Sequence, residues 1–159
     1  MTRMDEFREG GEMSETAIIE KDLSYLIMQA AFEVYNELGP GFPESIYEEA
    51  MNRELTHRGI NLERQKEVMI YFKNEPLGKF IIDNIANGRV ILEYKAVSEI
   101  AKIYKQQALS YLKATGLELA IVINFGAERV QSSRVVNTKG KAKLLPRFPR
   151  ARNVSSEIE

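Results

Sequence analysis

Two short apolar stretches that meet at Asn87-Gly88 constrain this chain most strongly, because they predict a β-hairpin. Asn and Gly both tolerate the positive φ angles of the two-residue type I′ turn. The first strand carries Asp83, and the second carries Glu93 and Lys95 on one face, because strand side chains alternate with a period of two. A charge within so apolar a hairpin is costly unless it is paired or binds a metal. The hairpin therefore predicts a functional site as well as a local structure.

The composition is that of one globular domain. The chain has 159 residues, of which 44% are hydrophobic and 28% are charged. No apolar run approaches the roughly 20 residues that a membrane-spanning helix needs, so we expect no membrane association. Cysteine is absent, which excludes disulfides and thiolate zinc sites and makes a reducing cytoplasm the default location.

The ends of the chain differ from its middle. Residues 1–15 show no periodicity and are predicted to be disordered, whereas residues 16–137 form the predicted domain. The tail over residues 138–159 has six basic and two acidic residues, a net charge of +4, although the whole chain carries −1. Such a tail fits either a nucleic-acid-binding arm or a solvated end.

The order of apolar patterns predicts an α/β fold in which helices flank a mixed central sheet. The second helix should bury a stripe that includes Ile46, and Ser98 should cap a third helix whose inner side includes Ile103. The predicted elements are helices over 20–38, 43–59 and 98–114, strands over 61–72, 77–86, 89–97 and 117–125, and a short edge strand over 134–136.

Asp83, Glu93 and Lys95 fit a metal-assisted hydrolytic site. Two carboxylates on adjacent strands supply the hard oxygen ligands that Mg²⁺ prefers. Lys95 would hold the attacking water or neutralise charge in the transition state. The spacing fits equally well a Glu93–Lys95 ion pair on a wet face, with Asp83 at a solvated strand end.

Three further positions carry weaker signals. Glu44 lies one turn before Tyr47 at the start of the second helix, and Gln107 lies one turn before Tyr111 on the third. Taken alone, Glu44 also fits a residue that is only a charge in the first turn of the helix. Gln107 also fits a partly exposed amide at the edge of the core. His57 is the only histidine, so a zinc site built from several histidines is excluded.

Three separated segments together resemble one family. Residues 41–47 match the Gly-x-x-Glu-x-x-Tyr signature of the GxxExxY proteins. Asp83, followed by Glu93 and Lys95, resembles the Asp…Glu-x-Lys core of the PD-(D/E)XK nuclease superfamily, to which that family is assigned. Gln107 and Tyr111 are similar to the Gln-x-x-x-Tyr motif of its exonuclease-like branch. The resemblance spans roughly residues 22–137.

The resemblance implies a restriction-endonuclease-like αβββαβ core. In such a core, Asp83 and Glu93 would bind Mg²⁺ or Mn²⁺, Lys95 would assist the attacking water, and Glu44 would add a carboxylate as a metal ligand or by orienting the water. Gln107 and Tyr111 would line the same cleft.

We therefore expect a nuclease for which DNA is favoured over RNA as the substrate, with a non-catalytic module that binds nucleic acid or protein as the alternative. The oligomeric state stays open, and a homodimer is compatible with the sequence. Two positions depart from the family pattern: Ile81 stands where relatives often carry a basic residue, and Asn84 where they usually carry an aliphatic one.

Overall fold

A mixed five-stranded sheet organises the computed structural model, which describes residues 18–138. The predictions for residues 1–15 and for the tail after Thr138 lie outside the described residues. The elements are α1 (Lys21–Leu38), α2 (Glu44–His57), β1 (Leu62–Phe72), β2 (Glu75–Ala86), β3 (Val90–Lys95), α3 (Lys102–Thr115), β4 (Leu119–Asn124) and β5 (Gln131–Val136).

The strands lie in chain order across the sheet. β1, β2 and β3 form an antiparallel meander, β4 runs parallel to β3 after α3, and β5 pairs antiparallel with β4. Asn87 and Gly88 have φ angles of 51° and 66°, so the β2–β3 turn has the conformation that the sequence predicted. The expected α/β fold with a mixed sheet and flanking helices is confirmed.

The helices pack on opposite faces of the sheet. The first core cluster joins α1 and α2 to one face, and the second joins α3 to the other. β4 is buried along its whole length because helices cover both of its faces. Of the helices in the described residues, none is both long enough and apolar enough to cross a membrane.

Two apolar residues predicted to be buried are exposed. Ile46 is 44% exposed, because the inner stripe of α2 runs through Tyr47, Met51 and Leu55 in steps of four. Ile103 is 62% exposed, since it lies roughly 140° around α3 from the buried Ala108 at 100° per residue.

The prediction that Ser98 opens the third helix is wrong, because α3 begins at Lys102. The backbone after β3 is held in place by Asn124 at the end of β4. The Asn124 side chain accepts the Val97 amide over 2.9 Å and donates to the Val97 carbonyl over 2.8 Å. These bonds hold the segment that leaves β3 against the end of β4, so the helix starts about one turn later than predicted.

Candidate active site

Asp83 and Glu93 lie side by side where β2 and β3 separate. The paired register of these strands ends at Asn84 and Leu92, just before the two acids. Beyond that point, hydrogen bonds to the two carboxylates take the place of the backbone hydrogen bonds between β2 and β3. The Asp83 amide donates to a Glu93 carboxylate oxygen over 3.3 Å, and the Tyr94 amide donates to an Asp83 carboxylate oxygen over 2.9 Å. Each acid therefore binds the main chain of the other strand, which fixes their separation.

Burial makes two negative charges at this position costly. Glu93 is only 6% exposed, and Asp83 is half-buried. Burial raises the pKa of Glu93 to about 9, and the charge on Asp83 is the second cause. Burial also raises the pKa of Asp83. The pair therefore requires a proton or an additional positive charge to be stable in its folded position.

Lys95 supplies one positive charge beside the pair. It shares a face of β3 with Glu93, and its charge lowers the pKa of both acids. Its ammonium nitrogen lies 4.6 Å from the centroid of the Tyr104 ring on α3, within the range of a cation–π contact. The three residues on which the sequence prediction rested thus lie together.

The charge on Asp83 also reaches Glu48 on α2, one turn after Glu44. Glu44 is exposed in the first turn of the helix. Glu48 is half-buried, and burial followed by the charge on Asp83 raises its pKa. The Gln65 side-chain amide donates a hydrogen bond to it. Sequence reasoning missed Glu48, although its position four residues after Glu44 puts both on one helix face.

Tyr111 and Gln107 lie on the α3 side of the same acids. Burial raises the pKa of Tyr111 to about 12, with the charges on Glu93 and Asp83 as further causes. The Tyr111 ring stacks on Phe80 of β2 at 4.2 Å between centroids. Gln107 is exposed and hydrogen-bonds the Tyr111 side chain. Tyr111 is therefore within electrostatic range of both acids. Gln107 is connected to them through its hydrogen bond to Tyr111.

A buried polar network ties α2 to the strands that carry the acids. The Asn84 amide donates to the Asn52 side-chain oxygen over 2.8 Å, and the Tyr94 hydroxyl donates to the Asn84 side-chain oxygen over 2.6 Å. Asn84 and Tyr94 follow Asp83 and Glu93 directly in the chain. The network therefore fixes the position of α2 relative to the backbone that bears both acids.

The donor set fits a divalent cation in chemistry and charge. Asp83 and Glu93 provide hard oxygen ligands whose mutual repulsion a cation would relieve. Among residues 18–138, no group of three or more histidine, aspartate or glutamate side chains is arranged to hold a metal ion. The described residues thus offer a two-carboxylate site, with Glu48 as the neighbouring acid.

Comparison with known proteins identifies the family. No curated protein matches the chain. A family model of the PD-(D/E)XK nuclease superfamily matches residues 21–135, which include both acids, Lys95 and all of α2 and α3. Because this match covers most of the chain, the protein belongs to the PD-(D/E)XK nuclease superfamily.

Proposed function

We propose that this protein is a metal-dependent nuclease that hydrolyses phosphodiester bonds, with DNA as a better substrate than RNA. One observation carries the proposal: Asp83 and Glu93 are locked together by main-chain hydrogen bonds with Lys95 beside them. Membership of the superfamily supports the reaction type. The Gly41, Glu44 and Tyr47 signature further favours assignment to the GxxExxY proteins, and the absence of cysteine favours a cytoplasmic location.

Asp83 and Glu93 would hold Mg²⁺ or Mn²⁺, and Glu44 or Glu48 would add a carboxylate from α2. When bound, the ion would lower the pKa of a coordinated water and polarise the phosphoryl oxygen. Lys95 would orient the attacking water and offset the negative charge that develops on the phosphate. Gln107 and Tyr111 would contact the substrate backbone from α3.

A cleavage assay on single- and double-stranded DNA tests this function. We expect cleavage with Mg²⁺ or Mn²⁺ and none with a chelator. Asp83→Asn and Lys95→Met should each lower the rate by about 10²-fold or more, because each removes charge stabilisation at the reacting phosphate. The matched controls Asp22→Asn and Lys113→Met alter exposed residues on α1 and α3 and should cleave like wild type. Equal cleavage by all variants, or by none, would refute the proposal.

A second candidate is a non-catalytic module that keeps the nuclease fold and binds nucleic acid or a protein. The observation that favours it is the lack of a preformed group of three metal ligands in the described part of the chain. Calorimetric titration with Mn²⁺ separates the two candidates. Heat of binding that disappears in Glu93→Gln supports the enzyme, whereas salt-dependent DNA binding without metal binding or cleavage supports the module.

A further inference from the structure

Gln65 has an unusual backbone conformation for a residue within a strand. Its φ angle is 48°, in the left-handed region that residues other than glycine rarely adopt. The β1–β2 ladder is paired on both sides of this point but skips Gln65 and Asp83, which lie opposite each other. The remaining positive-φ residues other than glycine in the described chain lie in turns or before α1: Glu20, Lys73, Asn74 and Asn87.

Packing does not explain this conformation, because Gln65 is exposed. Its side-chain amide donates a hydrogen bond to the Glu48 carboxylate of α2. Gln65 lies opposite Asp83 in the β1–β2 register, so this hydrogen bond brings Glu48 near Asp83. After burial, the charge on Asp83 is the next cause of the raised pKa of Glu48. Residues with a strained backbone often lie at functional sites, where the strain contributes to the function. Gln65 is such a residue, and it lies opposite Asp83, a proposed metal ligand.

We propose that Gln65 is a positioning residue for the candidate active site. Its left-handed backbone interrupts the strand opposite Asp83, and its side-chain amide holds Glu48 near Asp83, where the charge of Glu48 strengthens the attraction of the Asp83–Glu93 pair for a divalent cation. The inference rests on the proposed metal-dependent function. Among residues 18–138, no group of three or more histidine, aspartate or glutamate side chains is arranged to hold a metal ion, so Glu48 would act on the cation from beyond the Asp83–Glu93 ligands.

Calorimetric titration of the full chain with Mn²⁺ tests whether Gln65 acts through Glu48. Gln65→Ala and Glu48→Gln should each weaken Mn²⁺ binding about 10- to 100-fold, the usual effect of losing a group that lies just beyond the direct ligands of a metal site. The double variant should bind no more weakly than Glu48→Gln alone. Additive losses, or an unchanged affinity in Gln65→Ala, would overturn the inference.

Thermal unfolding separates positioning from a merely structural role. Gln65→Gly removes both the amide and the conformational restriction, so its unfolding midpoint should match or exceed that of wild type while Mn²⁺ binding weakens. Lys73→Gly is the matched control: Lys73 has a φ of 49° in the β1–β2 turn, and its replacement should leave Mn²⁺ affinity unchanged. If Gln65→Gly instead lowers the midpoint, Gln65 serves the fold and the inference fails.

The two proposals can fail separately. A wild-type chain that binds no Mn²⁺ would refute the metal-dependent nuclease together with the role of Gln65. A wild-type chain that binds Mn²⁺ and tolerates Gln65→Ala would refute only the role of Gln65.

Discussion

Asn84 follows Asp83 directly and points to the opposite side of β2, where its side chain is fully buried against α2. Because this side chain is buried, its amide needs hydrogen-bond partners. Asn52 and the Tyr94 hydroxyl provide them, and the described buried side chains include no polar atom without a hydrogen bond. The buried amide of Asn84 thus has a polar partner in Asn52 on α2, 32 positions away in the chain.

We expect Asn84→Leu to lower the free energy of unfolding by about 1–3 kcal/mol, because Asn52 and the Tyr94 hydroxyl would lose buried partners. The double variant Asn52→Leu/Asn84→Leu should recover part of that loss, since it leaves fewer polar groups unpaired. Urea denaturation measures both values. A double variant whose destabilisation equals the sum of the two single losses would show that the two residues act independently.

Single residues of the site differed in how far the sequence revealed them. Asp83, Glu93 and Lys95 stood out because charges rarely occur in an apolar hairpin. Glu48 and Gln65 lie in polar surroundings along the sequence, where one more acid or amide carries no signal. Their relevance depends on contacts between α2 and β1, which local patterns do not specify.

At the scale of elements, the α1–α2 connection is fixed by the tyrosine of the Gly-x-x-Glu-x-x-Tyr signature. The Tyr47 hydroxyl donates to the Gly39 carbonyl over 2.5 Å and accepts the Phe42 amide over 3.2 Å. Its ring is fully buried and stacks on Phe125, with 4.8 Å between centroids and 3° between planes. Tyr47 therefore holds the loop that sets where α2, and with it Glu44 and Glu48, begins.

Tyr47→Phe keeps the stacked ring but removes both hydroxyl hydrogen bonds. We expect a loss of about 1–3 kcal/mol in unfolding free energy, because two loop groups lose their partner. DNA cleavage per folded molecule should stay within a few-fold of wild type, since Tyr47 supports α2 and supplies no group to the acids. Urea denaturation and the cleavage assay measure the two effects. A hundredfold loss of cleavage at full folding would instead place the hydroxyl in the reaction.

Element boundaries followed the sequence where local chemistry determines them. α1 ends at Gly39, whose amide binds the Tyr35 carbonyl at 2.7 Å, and α2 begins directly after Pro43, as predicted. α3 begins later than predicted because Asn124 holds Val97 from 27 positions away. A capping signal at Ser98 cannot reveal that tertiary tether.

At the scale of the whole molecule, the order of elements was enough to predict a mixed sheet with flanking helices. The meander followed from short turns, and the parallel strand from the intervening helix. The position of the site required more than this order. The strands separate at the two acids because Asp83 and Glu93 replace the ladder bonds, a feature that depends on their pairing in three dimensions.

The same pair links the stability of the whole fold to pH and divalent cations. The pKa of Glu93 is raised to about 9 from an ordinary value of 4.5, so the folded chain holds this proton more tightly than the unfolded chain. Stability from this group is fully present below about pH 4.5 and is lost as the pH rises towards 9. A divalent cation bound by the pair should offset that loss, because it replaces the proton as the neutralising charge.

We therefore expect Glu93→Gln, measured by urea denaturation in a chelator, to gain stability relative to wild type between about pH 5 and pH 8. The gain should be up to about 1.4 kcal/mol per pH unit, the free energy of one unit of pKa difference. Mg²⁺ should raise wild-type stability more at pH 8 than at pH 5 and should have little effect on the variant. Glu99→Gln, at an exposed position after β3, is the control and should follow wild type. A difference between Glu93→Gln and wild type that stays constant with pH would mean that Glu93 is ionised in the folded protein throughout, so no proton would be there for a cation to displace.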